Sequence, residues 1–166
     1  MAGYGRIRSH YILVGKFKIP TNTSLTNIDL DRYARKLNIP YFKGVYMRDE
    51  IQDLKKNQNE CGIMNFNTTN ESGSHWVCWV KKRHDRVYFD SFAQRIPLEL
   101  ERYLKTKLEF QQNKLCIKRN YVVVQHIDTV ECGALCLYIL NALMCQQLSF
   151  EKVIYQLEKR YTKNAD

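Results

Sequence analysis

Cys132 is the residue of this sequence whose position best suits a nucleophile. It lies in the stretch VECGALC (130–136), where a polar loop gives way to an apolar helical segment. A cysteine reacts as its thiolate, and the unpaired N–H groups and the dipole at a helix N-terminus stabilise that anion. Gly133 beside it would shape the site by allowing close backbone approach. Most cysteines at helix starts are structural, so the assignment of Cys132 as a nucleophile depends on whether the sequence also supplies a base and an acid.

A base and a group that orients it are the partners that a catalytic thiol needs. His75 opens the β-rich run HWVCWV (75–80) directly after a polar loop, and Asp90 ends the run VYFD (87–90). The charged segment between the runs, KKRHDR (81–86), predicts a hairpin that places both residues on neighbouring strands. A carboxylate there would hold the imidazole tautomer and stabilise imidazolium.

Gln125 is the candidate for stabilising a developing oxyanion. It ends a further predicted strand, YVVVQ (121–125), seven residues before Cys132. Its side-chain amide would act together with the backbone N–H of Cys132. His126 is nearer to Cys132 in sequence than His75 but lies at a loop start, so His75 is preferred as the base.

The order of these residues resembles that of a known family. GSHW (73–76), YFDSF (88–92) and Q-x6-CG (125–133) follow the His, acid, Gln, Cys order of the adenovirus-type (adenain-like) cysteine proteases, within the wider group of ubiquitin-like-modifier proteases. IPYFKGVYMRD (39–49) resembles an early segment of those from Polinton/Maverick-type elements and related DNA viruses. The resemblance covers roughly residues 26–145.

The resemblance assigns roles to individual residues. It implies His75 as the base, Asp90 as its orienting acid, Gln125 as an oxyanion donor and Cys132 as the nucleophile. It also implies that Trp76 packs beside the site. Asp90 departs from the adenoviral enzymes, which carry Glu, although relatives in the wider group use Asp.

The elements that must position these residues indicate an α+β fold in one domain over residues 1–166, which the resemblance implies is a cysteine protease domain. We expect a mostly antiparallel central sheet and a buried helix carrying the nucleophile at its N-terminus, surrounded by further helices. The resemblance implies a papain-like or adenain-like core in permuted order. The patterns predict helices over 26–38, 96–110, 134–145 and 149–161, a strand over 61–66, and a turn over 41–49.

Charge and cysteines bear on partners and cofactors. Lys and Arg number 26 against 17 Asp and Glu, which gives a net charge of +9. This favours polyanions such as DNA, although the charge is dispersed and also fits a basic soluble surface. The resemblance implies activation by DNA and by a short peptide that forms a disulfide, with Cys116 as the candidate cysteine; a buried strand cysteine is the alternative. We expect free thiols and no metal or small-molecule cofactor.

Other site types fit less well. A papain-like enzyme places its cysteine before its histidine, and the Q-A-C-x-G box of a caspase is absent. A metal site formed by Cys132, Cys136 and His126 lacks a C-x2-C pair and a clear fourth ligand.

The function implied by the resemblance is a cysteine endopeptidase that processes viral or transposon-encoded capsid or core precursors after glycine-containing motifs. A deubiquitinase or other ubiquitin-like-modifier isopeptidase would use the same residues. A non-catalytic DNA-binding module is the alternative from a different class. We expect a monomer without membrane contact. YILV (11–14) is too short for a signal-peptide core, so we expect a location inside the cell, in the host nucleus, and in the virion.

Overall fold

The computed structural model describes residues 10–71, 75–83, 85–114 and 117–163. The chain forms strands and helices in this order: β1 (Tyr11–Val14), β2 (Phe17–Pro20), α1 (Asn27–Lys36), β3 (Phe42–Met47), a 3-10 helix (Arg48–Asp53), β4 (Asn59–Asn65), β5 (Trp76–Lys82), β6 (Asp85–Phe89), α2 (Leu98–Leu104), α3 (Lys107–Gln111), β7 (Ile117–Arg119), α4 (Cys132–Met144) and α5 (Phe150–Lys163). No helix among the described residues is long and apolar enough to cross a membrane.

A five-stranded sheet in the order β3-β4-β5-β6-β7 forms the centre of the fold. The inner pairings, β4 with β5 and β5 with β6, are antiparallel. The β5–β6 pair is the hairpin that the sequence predicts. Both edge strands, β3 and β7, pair in parallel with their neighbours. The predicted α+β fold is therefore confirmed, with a sheet that is antiparallel at its centre and mixed overall.

Helix α4 is the buried helix that the sequence predicts. Its apolar residues face the sheet on one side and α1, α5 and the β1–β2 hairpin on the others, so nearly the whole helix is buried. A second apolar cluster covers the opposite face of the sheet, where Trp79 and Tyr88 pack against Ile51, Leu100 and Leu104. The sheet is thus covered on both faces, and the N-terminus of α4 is fixed relative to the strands.

The two predicted amphipathic helices form and are capped as their sequences indicate. Thr26 accepts a hydrogen bond from Asp29 N, and Thr26 N donates to the Asp29 carboxylate, which completes a capping box at α1. Ser149 Oγ accepts from Lys152 N at the start of α5.

Three local predictions were wrong. Residues 121–125 do not form a strand; the strand is β7, and Tyr121, Val122 and Val123 are exposed, so their β-branched run does not reflect burial. Residues 41–49, predicted as a turn, contain β3 and the start of the 3-10 helix. The helix predicted over 96–110 divides into α2 and α3, because Thr106 caps a new helix start.

Candidate active site

Helix α4 begins at Cys132, which places the thiol at the N-terminus of a thirteen-residue helix. Cys132 is buried, with 7% of its surface exposed. The helix can approach its neighbours closely because the next residue is glycine. A Cβ on Gly133 would lie 3.1 Å from Leu30 Cδ2, 3.3 Å from Trp76 Cδ1 and 3.4 Å from Leu25 Cβ. Gly133 therefore shapes the site by letting the helix start pack against Trp76.

The β5–β6 hairpin brings the predicted base and acid together. His75 immediately precedes β5 and Asp90 immediately follows β6, so the antiparallel pairing places both residues at the same end of the hairpin. His75 Nε2 lies 2.7 Å from Asp90 Oδ1, and both side chains are buried. The same carboxylate oxygen accepts a hydrogen bond of 2.8 Å from Phe92 N, which fixes its direction.

The imidazole of His75 contacts Asp90 and interacts with the Cys132 thiol. Burial lowers the pKa of His75, but the hydrogen bond to Asp90 and the nearby Cys132 thiol outweigh it and raise the pKa to about 9. The ring is therefore protonated at neutral pH. Since Nε2 contacts Asp90, Nδ1 is the atom available to exchange a proton with the thiol.

Gln125 is held by two hydrogen bonds that define the orientation of its amide. Its Oε1 accepts from Ser91 Oγ at 2.5 Å, and its Nε2 donates to the carbonyl oxygen of Thr129 at 3.1 Å. A carbonyl only accepts, so the contact with Thr129 identifies the nitrogen. The second N–H of this amide is then a donor in the neighbourhood of Cys132.

A cleft of about 420 Å³ joins these groups, with His75, Trp76, Gln125 and Cys132 in its wall. Trp76 is fixed by a hydrogen bond of 2.9 Å from its Nε1 to the carbonyl oxygen of Leu25. The four residues come from three separate parts of the chain and meet at one surface opening. This arrangement can support acyl transfer to a thiol, because a thiol, an imidazole and a side-chain amide line one cleft, and the buried Asp90 carboxylate contacts the imidazole from behind it.

No protein-family model matches the sequence. The chain is 28% identical over 128 residues to the protease of Porcine adenovirus A serotype 3. The aligned part covers 70% of this chain and 63% of that protein. The chain thus spans less than two thirds of the length of this relative. The resemblance to the adenain-like proteases is confirmed.

Solved structures with the same fold include two crystal structures of one protease. The crystal structure of the ASFV pS273R protease matches with a TM-score of 0.53 and 18% identity, over 85% of this chain and 67% of that one. Its selenomethionine form matches with a TM-score of 0.56 and 17% identity, over 85% and 68% of the two chains. At these identities the likeness concerns the fold.

Two side chains behind the candidate site were not found from the sequence. Ser91 follows Asp90 directly and orients Gln125. Asn120 holds the backbone of Asp90 from both sides: its Nδ2 donates to Asp90 O at 2.6 Å, and its Oδ1 accepts from Asp90 N at 3.2 Å. The position of Ser91 directly after Asp90 in YFDSF could have indicated that it lies near the site. Asn120 is thirty residues from Asp90 in sequence, and no sequence pattern indicates their contact.

The loop before Cys132 is fastened to the C-terminal helix. Glu131 receives two hydrogen bonds from the guanidinium of Arg160, of 3.1 and 2.8 Å, and its side chain is buried. His126 stacks on Tyr161 with ring centroids 4.4 Å apart. His126 thus packs against α5 and is not a wall residue of the cleft.

The other cysteines have different surroundings. Cys136 is buried in the core, where burial raises the pKa of its thiol well above the usual value. Cys145 is exposed, and Cys116 lies outside the described residues. Within the described ranges, no group of three His, Cys, Asp or Glu side chains has an arrangement that could hold a metal ion.

Proposed function

We propose that this chain is a cysteine endopeptidase in which Cys132 is the nucleophile, His75 the base and Asp90 its orienting acid. The observation that carries the proposal is the contact of 2.7 Å between Asp90 and His75, whose imidazole lines the same cleft as a cysteine at a helix N-terminus. The relation to an adenoviral protease supports it.

The proposed reaction proceeds through a thioester. The Cys132 thiolate attacks the scissile carbonyl carbon while the proton resides on His75, whose second N–H is held by Asp90. The second N–H of Gln125 and the backbone N–H of Cys132 stabilise the oxyanion of the tetrahedral intermediate. His75 then protonates the leaving amine, and water, deprotonated by the same imidazole, hydrolyses the thioester. Trp76 and Gly133 shape the cleft in which this occurs.

The proposed substrates are viral or transposon-encoded capsid or core precursors, cleaved after glycine-containing motifs. Trp76, Phe92 and the loop before α1 line the cleft together with Cys132. A glycine, which has no Cβ, would fit this opening more easily than a larger residue. We place the activity in the host nucleus and the virion, where such precursors assemble.

A glycine-ended electrophilic peptide tests the proposed function. Mass spectrometry of the intact and digested protein should show one label, on Cys132, although Cys145 is more exposed. The variant His75→Ala should lose this label, and Cys145→Ser should keep it. Label on another cysteine, or equal labelling of His75→Ala, would refute the assignment. A matched probe ending in a ubiquitin-like modifier distinguishes the isopeptidase alternative.

DNA and a short activating peptide are the proposed cofactors, and Cys116 is the proposed attachment point of the peptide. The net charge of +9 supports the DNA proposal. If DNA acts as a cofactor, adding a short duplex should raise the cleavage rate, and salt should reverse the effect. A rate that is indifferent to both would leave the charge without this role.

A further inference from the structure

A second cavity lies away from the candidate active site and has a different character. It measures about 190 Å³ and lies among the loop before α2, the C-terminal part of α2, the end of β6, and β7. Tyr88, Arg95, Lys105 and Arg119 are in its wall, together with Glu101. It shares no wall residue with the cleft that contains Cys132.

The cavity carries an excess of positive charge. Its wall has three basic side chains, those of Arg95, Lys105 and Arg119, against the single carboxylate of Glu101. Lys105 is buried and pairs with Glu101 at 2.9 Å. Arg95 and Arg119 have no carboxylate within salt-bridge distance in the described part of the chain. Three positive charges and one negative charge leave a surplus of two.

Two buried hydrogen-bond donors at this cavity lack acceptors. Within the described ranges, neither the hydroxyl of Tyr88 nor Nε of Arg119 has a hydrogen-bond partner. Burial raises the pKa of the Tyr88 hydroxyl, which therefore remains protonated and can donate. Buried donors are normally paired, and each exception calls for an explanation.

The guanidinium of Arg119 is also held in a defined orientation. It lies over the ring of Tyr121, 4.5 Å from the centroid. Stacking on an aromatic ring fixes the guanidinium plane while leaving its N–H groups free to bind a ligand. The site is therefore already formed before a ligand arrives, which reduces the entropy lost on binding.

We propose that this cavity binds a phosphate-sized oxyanion, with Arg119, Arg95 and the Tyr88 hydroxyl as donors. A tetrahedral oxyanion offers acceptors and negative charge, which are what the unpaired donors and the surplus charge lack. The volume accommodates one phosphoryl group. The phosphoryl group comes either from free inorganic phosphate or from a nucleic acid backbone that leaves its remainder outside.

Titration of the full chain with inorganic phosphate, at constant ionic strength kept with chloride, tests the site. We expect saturable NMR shifts of the Arg119 Nε–H signal and of the Tyr88 and Ile117 amides. Arg119→Gln should weaken binding about tenfold or more. Lys118→Gln is the matched control: it removes the same charge from an exposed neighbour that pairs with Glu151 and is not in the cavity wall. Its affinity should equal that of the unmodified chain.

Tyr88→Phe gives a second measure that does not depend on the folding of the arginine variant. Because the removed hydroxyl has no partner, the variant should be as stable as the parent chain without phosphate, yet gain less stability when phosphate is added. Titration with a tetranucleotide identifies the source of the phosphoryl group. Tighter binding than that of inorganic phosphate, with the same dependence on Arg119, assigns the site to nucleic acid. Equal binding assigns it to the free ion. Absence of saturable shifts, or equal losses in Lys118→Gln and Arg119→Gln, overturns the proposal.

Discussion

His75 Nε2 and Asp90 Oδ1 lie 2.7 Å apart at the open end of the β5–β6 hairpin. The hairpin register alone brings these two residues close, and the backbone contacts of Asp90 then set the direction of its carboxylate. Phe92 N binds Oδ1, and Asn120 binds the main chain of Asp90 on both sides. The acid is thus fixed by the fold before any substrate is present.

The charge of Asp90 should control the protonation of His75. In Asp90→Asn the amide can keep a hydrogen bond to the ring, but the carboxylate that favours imidazolium is lost. We expect the pKa of His75 to fall from about 9 toward its ordinary value, with a loss of turnover of about 10²–10⁴. An NMR titration of the His75 ring signals measures the shift. An unchanged pKa would show that Asp90 does not hold the proton.

The same contact predicts how stability depends on pH. The pKa of His75 is about 9 in the folded chain and about 6.5 when unfolded. The folded state therefore binds the proton more tightly. Its stabilising contribution is complete below about pH 6.5 and is lost as the pH rises to about 9.

Urea unfolding at pH 6 and pH 9 measures this contribution. The unfolding free energy of the parent chain should fall between the two pH values more than that of His75→Gln, which cannot titrate. Equal pH dependence of the two proteins would contradict the predicted proton uptake. Asp90→Asn should lie between them.

Much of this site can be predicted from the sequence because its residues lie next to strands and a helix with strong hydrophobic patterns. His75 and Asp90 border two β-rich runs, and Cys132 opens an apolar helix, so their elements were correctly predicted. Gln125 reaches the cleft although the strand predicted to carry it does not exist. It is positioned instead by Val124 N, which donates to Ser91 O at 2.9 Å, and by the Ser91 side chain. Such contacts between a loop and a strand end have no period along the chain, so no sequence pattern reports them.

Ser91 should act as a positioning residue for Gln125. Ser91→Ala removes the donor to Oε1 while leaving the bond from Nε2 to Thr129. We therefore expect kcat to fall about tenfold, less than the roughly 10²–10³ expected for Gln125→Ala, with little change in KM. In a Gln125→Ala background, Ser91→Ala should have no further effect on kcat. An equal additional loss there would mean that Ser91 acts through another residue.

The ion pair between Glu131 and Arg160 should stabilise the loop that leads to Cys132. Arg160→Met leaves the buried Glu131 carboxylate without its partner, at a cost of roughly 1–3 kcal/mol in the unfolding free energy. Arg35→Met is the control, because the pair of Arg35 with Asp31 is exposed and should contribute much less to the unfolding free energy. A double-mutant cycle with Glu131→Gln isolates the pair. Equal losses of unfolding free energy in the two arginine variants would show that the buried pair stabilises the chain no more than the exposed pair does.

Gly133 should be intolerant of any side chain. In Gly133→Ala the new Cβ lies 3.1 Å from Leu30 Cδ2 and 3.3 Å from Trp76 Cδ1, so a core residue and a wall of the cleft must both move. We expect a loss of about 1–3 kcal/mol in stability, lower catalytic efficiency and a change in tryptophan fluorescence. Leu30→Val tests the cause, because it shortens one of the crowding side chains. The double variant should lose less stability than the sum of the single variants, whereas strict additivity would mean that crowding against Leu30 is not the reason for glycine at this position.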